Sequence, residues 1–315
     1  ALQDVVIRFS GDSGDGMQLT GTLFSDTAAL EGNGISTFPD YPAEIRAPQG
    51  TVAGVSGFQV HFGDHRELNP GDYCDVLVAM NPAALKANRK WLKRSATVIL
   101  DGDSITEENL KKAGFATLDP IEELGLGDYN IVAPDITSLT REALKDTGLD
   151  NRAVVKCKNM FALGICFWLF DCHEDHAFEY LESKFQKKNP LIAEANKLAI
   201  KAGYNFAANT HQLASHYRVA PAHLEKGTYR TISGNVATAW GLMAAAEKMA
   251  DTIAKNAPIA VRACKKAINE GLDVDMDAAL VIEEKLFGSC FETADQAEGM
   301  GAFLEKRKHE PYQNK

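Results

Sequence analysis

The stretch Phe9-Ser10-Gly11-Asp12-Ser13-Gly14-Asp15-Gly16-Met17-Gln18-Leu19-Thr20-Gly21 decides the fold. Residues 5–9, apolar apart from Arg8, lead into three closely spaced glycines. Met17, Leu19, Leu23, Phe24 and the 28–30 run then follow at the spacing of a largely buried helix. Strand, tight glycine turn and helix make the opening unit of a doubly wound sheet, where amides at a helix N-terminus face the ligand crevice. Outward from this unit, residues 58–62 alternate as a strand should. Residues 75–80, 97–100 and 129–133 are continuous apolar strands of the kind buried on both faces of a parallel sheet. Helical stretches around 83–91, 107–113 and 138–145 fall between or after them. The expected fold is therefore α/β, a doubly wound and mainly parallel sheet, with the glycine turn and the Asn81-Pro82 turn both at strand carboxyl ends.

Spacing limits the chemistry of the turn. A dinucleotide fingerprint fails because Leu19 stands where its last glycine belongs, and a P-loop fails because Met17 replaces its lysine. Asp12 and Asp15 oppose a bare pyrophosphate, since a carboxylate about 5 Å away repels it unless turned outward or bridged by a cation. Gly14-Asp15-Gly16 resembles the opening of a thiamine-diphosphate magnesium motif, but only locally, because the downstream Asn is missing. Two readings stay open. Either Gly11, Asp12, Ser13, Gly14, Asp15 and Gly16 contact a ligand, or the aspartates cap a structural strand-to-helix turn. Asp101-Gly102-Asp103 likewise reads as an acidic turn capping the next helix.

The segment 34–48 carries Pro39, Pro42 and Pro48. Three prolines are expected to keep it out of regular structure and stiff, so that it presents Tyr41, Glu44 and Arg46 as a phenol, an acid and a guanidinium. A surface Glu44/Arg46 pair beside a packed Tyr41 is the alternative.

A length of 315 residues allows one large or two ordinary domains. A net charge of -10 and a pI near 5.3 disfavour nucleic-acid binding. No apolar run reads as long enough to span a bilayer and no basic-then-apolar leader is seen, so no membrane association and a cytoplasmic location are expected. The six cysteines contain no C-x-x-C, which predicts reduced core thiols and argues against iron–sulfur or zinc ligation by this chain. Residues 160–170 are apolar all round and predict a buried helix, at a core or subunit contact. Amphipathic helices over 173–187 and 190–202 follow, and 203–227 reads as a polar extended connector. The expected organisation is an α/β domain over 1–202, a connector over 203–233, a junction helix over 234–250 and appended helices over 251–315.

These residues support a family resemblance. Gly11 through Gly21, Phe38-Pro39-Asp40-Tyr41-Pro42-Ala43-Glu44-Ile45-Arg46-Ala47-Pro48 and Ala79-Met80-Asn81-Pro82-Ala83-Ala84-Leu85 resemble the gamma-type domain of 2-oxoacid:ferredoxin oxidoreductases. The likeness is greatest to the 2-oxoglutarate subunit in which gamma and alpha domains are fused. Gly227-Thr228-Tyr229-Arg230 and Ile232-Ser233-Gly234-Asn235 continue the match, which covers roughly residues 1–245. The resemblance implies oxidative decarboxylation of a 2-oxoacid with coenzyme A to acyl-CoA, carbon dioxide and reduced ferredoxin. It implies thiamine diphosphate, magnesium and iron–sulfur clusters on partners, namely a beta-type thiamine-binding subunit and a ferredoxin or cluster-carrying subunit, within an oligomer. It also implies that the Gly11-to-Gly16 turn, Asn81 and the Tyr41-to-Arg46 loop face the cofactor side, with Arg46 a partner for a carboxylate or phosphate.

Past residue 245 the likeness changes. The Tyr-Pro-Ile-Thr-Pro stretch expected of the alpha domain is not found. Ala257-Pro258-Ile259-Ala260-Val261, Glu283-Glu284-Lys285-Leu286-Phe287 and Glu298-Gly299-Met300-Gly301-Ala302-Phe303-Leu304-Glu305-Lys306-Arg307 resemble instead the C-terminal helices of the crotonase (enoyl-CoA hydratase) family. There the region trimerises, and the resemblance implies that Phe287, Phe303 and Lys306 flank the adenine and 3′-phosphate of coenzyme A. Helix packing is the competing role for both phenylalanines. The crotonase body with its oxyanion-hole amides does not appear, so hydration chemistry is not implied. The two resemblances meet at Ala244-Ala245-Ala246-Glu247-Lys248-Met249, where both families carry an Ala-rich helix and a join preserves helical phase.

Overall fold

A computed structural model describes residues 2–41, 54–187, 189–213, 216–230 and 232–315. The chain separates into two compact units, Ala1–Tyr229 and Arg230–Lys315. The first unit has six strands, β1 (Asp4–Asp12), β2 (Gly34–Asp40), β3 (Val55–Gly63), β4 (Cys74–Ala79), β5 (Leu92–Leu100) and β6 (Asn130–Val132). Its helices are α1 (Met17–Leu30), α2 (Pro82–Asn88), α3 (Glu107–Lys112), α4 (Pro120–Glu123), α5 (Ile136–Leu144), α6 (Asn151–Val155), α7 (Lys158–Phe170), α8 (Asp175–Phe185) and α9 (Pro190–Thr210).

The sheet order is β2-β3-β1-β4-β5-β6. β1, β4, β5 and β6 run parallel, as expected for a doubly wound sheet, whereas β3 pairs antiparallel with both β1 and β2. The expectation of irregular structure after Gly34 is corrected, because Gly34–Asp40 forms the edge strand β2 and Pro39 lies opposite Phe58. An edge strand tolerates proline, whose missing N–H can face away from the ladder.

Alternation along β1 divides the core between the two faces. Val5, Ile7 and Phe9 join Phe24, Phe62 and helices α7 and α9 on one side, while Val6 joins Leu77, Leu85, Val98 and Leu100 on the other. Arg8 shares the second face and is buried. Its Nε donates to Asn88 Oδ1 at 2.6 Å, one terminal nitrogen donates to Gln59 Oε1 at 3.0 Å, and the other binds the Asp40 carboxylate. A buried guanidinium needs its donors met in this way. The pairing also fixes the end of β2.

Helix α7 is buried almost all round, as its composition requires. Together with α6, the stretch Asn151–Phe170 has the length and composition to cross a membrane, which the sequence reading had not found. The α7 portion is only about 20 Å long at 1.5 Å per residue, and the stretch lies mostly inside the unit. The segment expected to be an extended connector from Gly203 is corrected too, since α9 continues to Thr210. Beyond it the chain lies back on the α/β unit. Tyr217 N donates to Leu169 O at 2.6 Å, Asn33 Nδ2 donates to Ala220 O at 2.9 Å, and Leu2 bridges to Val219.

The second unit is helical: α10 (Gly234–Ala254), α11 (Pro258–Gly271), α12 (Met276–Cys290) and α13 (Ala294–Leu304). Ser233, Asp275 and Thr293 cap α10, α12 and α13 by accepting from Val236, Ala278 and Gln296. The Ala-rich stretch 244–249, expected to be the junction, lies inside α10 without a break.

Helices α7 and α9 touch backbone to backbone, because a Cβ on Gly164 would meet Ile200 O at 2.0 Å and one on Gly203 would meet Phe161 O at 1.9 Å. Gly203→Ala is therefore expected to destabilise the protein by about 1–3 kcal/mol despite alanine's better helix propensity. Gly241→Ala, in open space within α10, is expected to stabilise its helix slightly. Urea denaturation followed by circular dichroism would show the opposite signs.

Candidate functional site at the carboxyl ends of the strands

The chain passes from β1 through α1 to β2 and β3 on one side of the sheet and from β4 through α2 to β5 on the other, so the carboxyl ends of β1 and β4 flank a topological switch point. Gly16 is the N-cap of α1, in the left-handed conformation at φ 78°, and no side chain caps the helix. The capping role offered for Asp12 and Asp15 is thus corrected. The Asp15 carboxylate folds back instead, and its Oδ2 accepts from Asp12 N at 3.1 Å. A Cβ on Gly11 would meet Asp15 Oδ2 at 2.9 Å and Met80 Cβ at 3.2 Å, so a side chain here would push the Asp15 carboxylate aside.

Asn81 ties the two strand ends together. Its Nδ2 donates to Asp12 Oδ1 at 2.9 Å, while its Oδ1 accepts from Ala84 N at 2.8 Å and caps α2. Asp12, Ser13 and Gly14 are exposed, whereas Asp15 and Gly16 are half-buried. Tyr41 is 68% exposed at the far end of β2. Glu44 and Arg46 lie outside the described residues.

Residues not proposed from the sequence complete the crevice. Lys158, at the head of α7, places Nζ 3.9 Å from Asp15 Oδ1 and 3.9 Å from Asp101 Oδ2. Asp101, at the end of β5, is fully buried and accepts from Thr137 Oγ1 at 2.6 Å and Thr137 N at 3.2 Å. The Asp101-Gly102-Asp103 turn therefore serves the start of α5. Asp103 takes Ser138 N at 2.6 Å and Ser138 Oγ at 2.8 Å, while Thr106 caps the next helix, α3. Asn159 sits under the glycine turn and donates to Thr20 Oγ1 at 3.2 Å and Gly16 O at 3.4 Å, leaving its buried Oδ1 without a partner. Burial pushes the carboxyls of Asp15 and Asp101 above their ordinary value of 3.8. Lys158 pulls both back down, and the Thr137 hydrogen bond does so for Asp101. The one sequence signal for Lys158 was its position as a lone charge at the head of an apolar helix.

This donor set suits neither group implied for the wider assembly. The Asp15 carboxylate is turned back on Asp12 N and Lys158, so Gly14-Asp15-Gly16 does not present a free magnesium ligand. Cys74, Cys157, Cys166 and Cys172 are separately buried thiols, with burial pushing Cys74 up to about 12 and Cys157 up to about 11. Among the described residues no three His, Cys, Asp or Glu side chains converge as a metal site, so the thiols do not fit an iron–sulfur cluster.

In the helical unit Phe287 is 65% exposed and Phe303 78% exposed. Phe287 stacks edge-on against Phe291, with centroids 5.2 Å apart. It also lines a 540 Å³ apolar groove between α11 and α12, with Cys264, Ile268 and Leu286. Lys306 is exposed just after α13, with φ 55°.

The family described as Pyruvate ferredoxin/flavodoxin oxidoreductase matches residues 6–206, and the family described as Enoyl-CoA hydratase/isomerase matches residues 188–314. The 2-oxoglutarate oxidoreductase subunit KorA of Mycobacterium tuberculosis is 48% identical over 246 residues, covering 78% of this chain and 37% of that protein. The short-chain-enoyl-CoA hydratase of Clostridium acetobutylicum is 49% identical over 74 residues, covering 24% of this chain and 28% of that protein. A structure of 2-oxoglutarate:ferredoxin oxidoreductase from Magnetococcus marinus, with 2-oxoglutarate, coenzyme A and succinyl-CoA bound, superposes with a TM-score of 0.54 at 25% identity. That likeness covers 70% of this chain and 34% of that one. The chain thus spans about a third of the length of these two oxidoreductases.

Removing the ammonium with Lys158→Met leaves the half-buried Asp15 carboxylate and the buried Asp101 carboxylate without a cation. Acids whose folded pKa is raised cost stability as pH climbs from the unfolded value toward the folded one. The variant is therefore expected to lose most stability at pH 7–8 and to recover toward wild type near pH 4–5, as the carboxyls protonate. Denaturation midpoints across that range would check this.

Proposed function

Because this chain belongs to the pyruvate ferredoxin/flavodoxin oxidoreductase family, we propose that it is the gamma-type part of a 2-oxoacid:ferredoxin oxidoreductase, with 2-oxoglutarate as the substrate. In the proposed reaction the substrate carboxylate leaves as carbon dioxide, and the acyl group joins the coenzyme A sulfur, which gives up its proton. Two electrons pass singly to two oxidised ferredoxins. Thiamine diphosphate supplies carbanion stabilisation and iron–sulfur clusters supply one-electron steps, both held on partner subunits, a beta-type thiamine-binding subunit and a cluster carrier. The 48% identity to KorA over 246 residues carries the substrate assignment. The committed Asp15 carboxylate and the scattered buried thiols support placing both cofactors elsewhere.

The role proposed for this chain is the coenzyme A side of the active-site entrance. Asp15 and Asp101 share one cation, Lys158, and Asp12 accepts from Asn81 beside them, so three acids against one ammonium repel phosphate and favour donors. It suits the amide and amino groups of coenzyme A better than its phosphates. Arg46, in the same chain, is the proposed partner for an acidic group. The thiols support a reducing, cytoplasmic setting.

A second reading concerns the helical unit, which we propose serves assembly. No residue of α10, α11 or α12 is buried, and Trp240, Leu242, Met243, Met249 and Ile253 stand exposed along α10. Exposed apolar surface of this kind supports a partner contact. Phe287, Phe303 and Lys306 are proposed to meet coenzyme A only within such an assembly.

The complex co-purified on this chain is expected to reduce ferredoxin only when both 2-oxoglutarate and coenzyme A are supplied, and the chain alone is expected to be inactive. Activity of the isolated chain would sink the proposed division of labour. Activity of the complex with pyruvate but not 2-oxoglutarate would sink the substrate assignment.

A further inference from the structure

At the end of the sheet opposite the crevice, where β1 begins and β3 stops, two imidazoles share one carboxylate. His61 Nδ1 lies 2.8 Å from the carbonyl oxygen of Asn69, so that nitrogen carries a proton. Its Nε2 faces Glu67 Oε2 at 3.2 Å and Asp4 Oδ1 at 3.6 Å, which are again acceptors. His65 repeats the pattern. Its Nδ1 is 2.9 Å from Asp64 Oδ1 and its Nε2 is 3.3 Å from Glu67 Oε1. The Glu67 side chain is only 5% exposed, and Oε1 has no well-aligned hydrogen bond of its own. A neutral imidazole holds one proton, so either ring in its neutral form sets a lone pair against a carboxylate lone pair. The arrangement is satisfied when each ring holds both protons.

We propose that His61, Glu67 and His65 form a proton-loaded clamp that fastens the 64–72 loop to the sheet and releases it as the pH rises. It is independent of the chemistry proposed for the crevice. The loop's other ties are Asp64 N donating to Gln3 O at 2.8 Å, Gln59 Nε2 donating to Pro70 O at 2.7 Å and Gly71 O at 2.6 Å, Gly71 N donating to Asn69 Oδ1 at 2.9 Å, and the backbone of His65 against Gly34. The charged groups facing the clamp are Asp4 from β1 and Asp64 and Glu67 from the loop. Opposite His61 the neighbouring strands offer Val6 and Ser36, which do not titrate. Arg8, farther along the same face, is engaged by Asn88, Gln59 and Asp40. Arg66, next to His65 in the loop, is exposed and makes no ion pair with these three acids among the described residues, so deprotonation leaves uncompensated negative charge around Glu67. For His65, the hydrogen bond to Asp64 and the charge of Glu67 hold the imidazolium above its ordinary value of 6.5. A raised cationic pKa contributes stability that is full below the unfolded value and is lost as pH climbs through the folded one.

Hydrogen exchange of the full chain between pH 6 and 9, corrected for intrinsic rates, reads this directly. Protection of the 64–72 amides is expected to fall about tenfold for each pH unit by which the folded imidazole pKa exceeds the unfolded one. Amides of β4 and β5 are expected to keep theirs. Glu67→Gln is expected to flatten that pH dependence. Asp64→Asn, at a half-buried position, is expected to weaken the His65 part and decides the matter should the first variant not fold. Protection that does not change with pH, or a pH dependence that survives in the folded variants, would overturn the clamp.

Discussion

The α/β unit depends on the burial of one helix. Helix α7 is apolar on every side and has to be covered on every side. On the sheet side, Phe167 and Phe170 close an aromatic cluster with Phe24 and Phe62, with ring centroids between 5.2 and 6.3 Å apart. On the other side α9 lies against it at Gly164 and Gly203, where no side chain keeps the backbones apart. Closing both faces fixes where the helix begins. Its first residues, Lys158 and Asn159, are thereby placed against the carboxyl ends of the strands and beneath the glycine turn.

The crevice follows from that placement. Strand β1 ends in Asp12, and β4 and β5 are followed by Asn81 and Asp101; at the switch in winding direction Asp12 stays exposed while Asp101 is buried beneath. Burial makes the carboxylates costly, and the ammonium of Lys158 offsets part of the cost by lying between two of them. A site arranged in this way is acidic and already hydrogen-bonded within itself. It is ill suited to a bare pyrophosphate or a metal.

The helical unit obeys different rules. Its caps are all local, Ser233, Asp275 and Thr293 each accepting from an amide three residues on, and its helices form with no buried residue in α10, α11 or α12. The Ala-rich stretch 244–249, where the sequence reading expects one resemblance to give way to the other, lies within the unbroken helix α10, because an α-helix records only local hydrogen bonds and capping.

Much of this was legible in the sequence because it is local. Periodicity announced β1, β4, β5 and α7, turn residues placed the glycine loop and the Asn81 cap, and long motifs supplied the family. Three things were not legible. The antiparallel insertion of β3 and the strand character of Gly34–Asp40 depend on which neighbours supply hydrogen bonds, and Pro39 is tolerated only because β2 lies at an edge. Glycine spacing gave no sign that Asp15 would turn back on its own loop instead of capping α1. The meeting of Asp15, Asp101 and Lys158, like that of His61 with Glu67, joins residues from separate elements. One sequence determined the elements and their kinship. Only packing decided which charges share low-dielectric space, because that energy depends on distances between side chains that the order of residues does not contain.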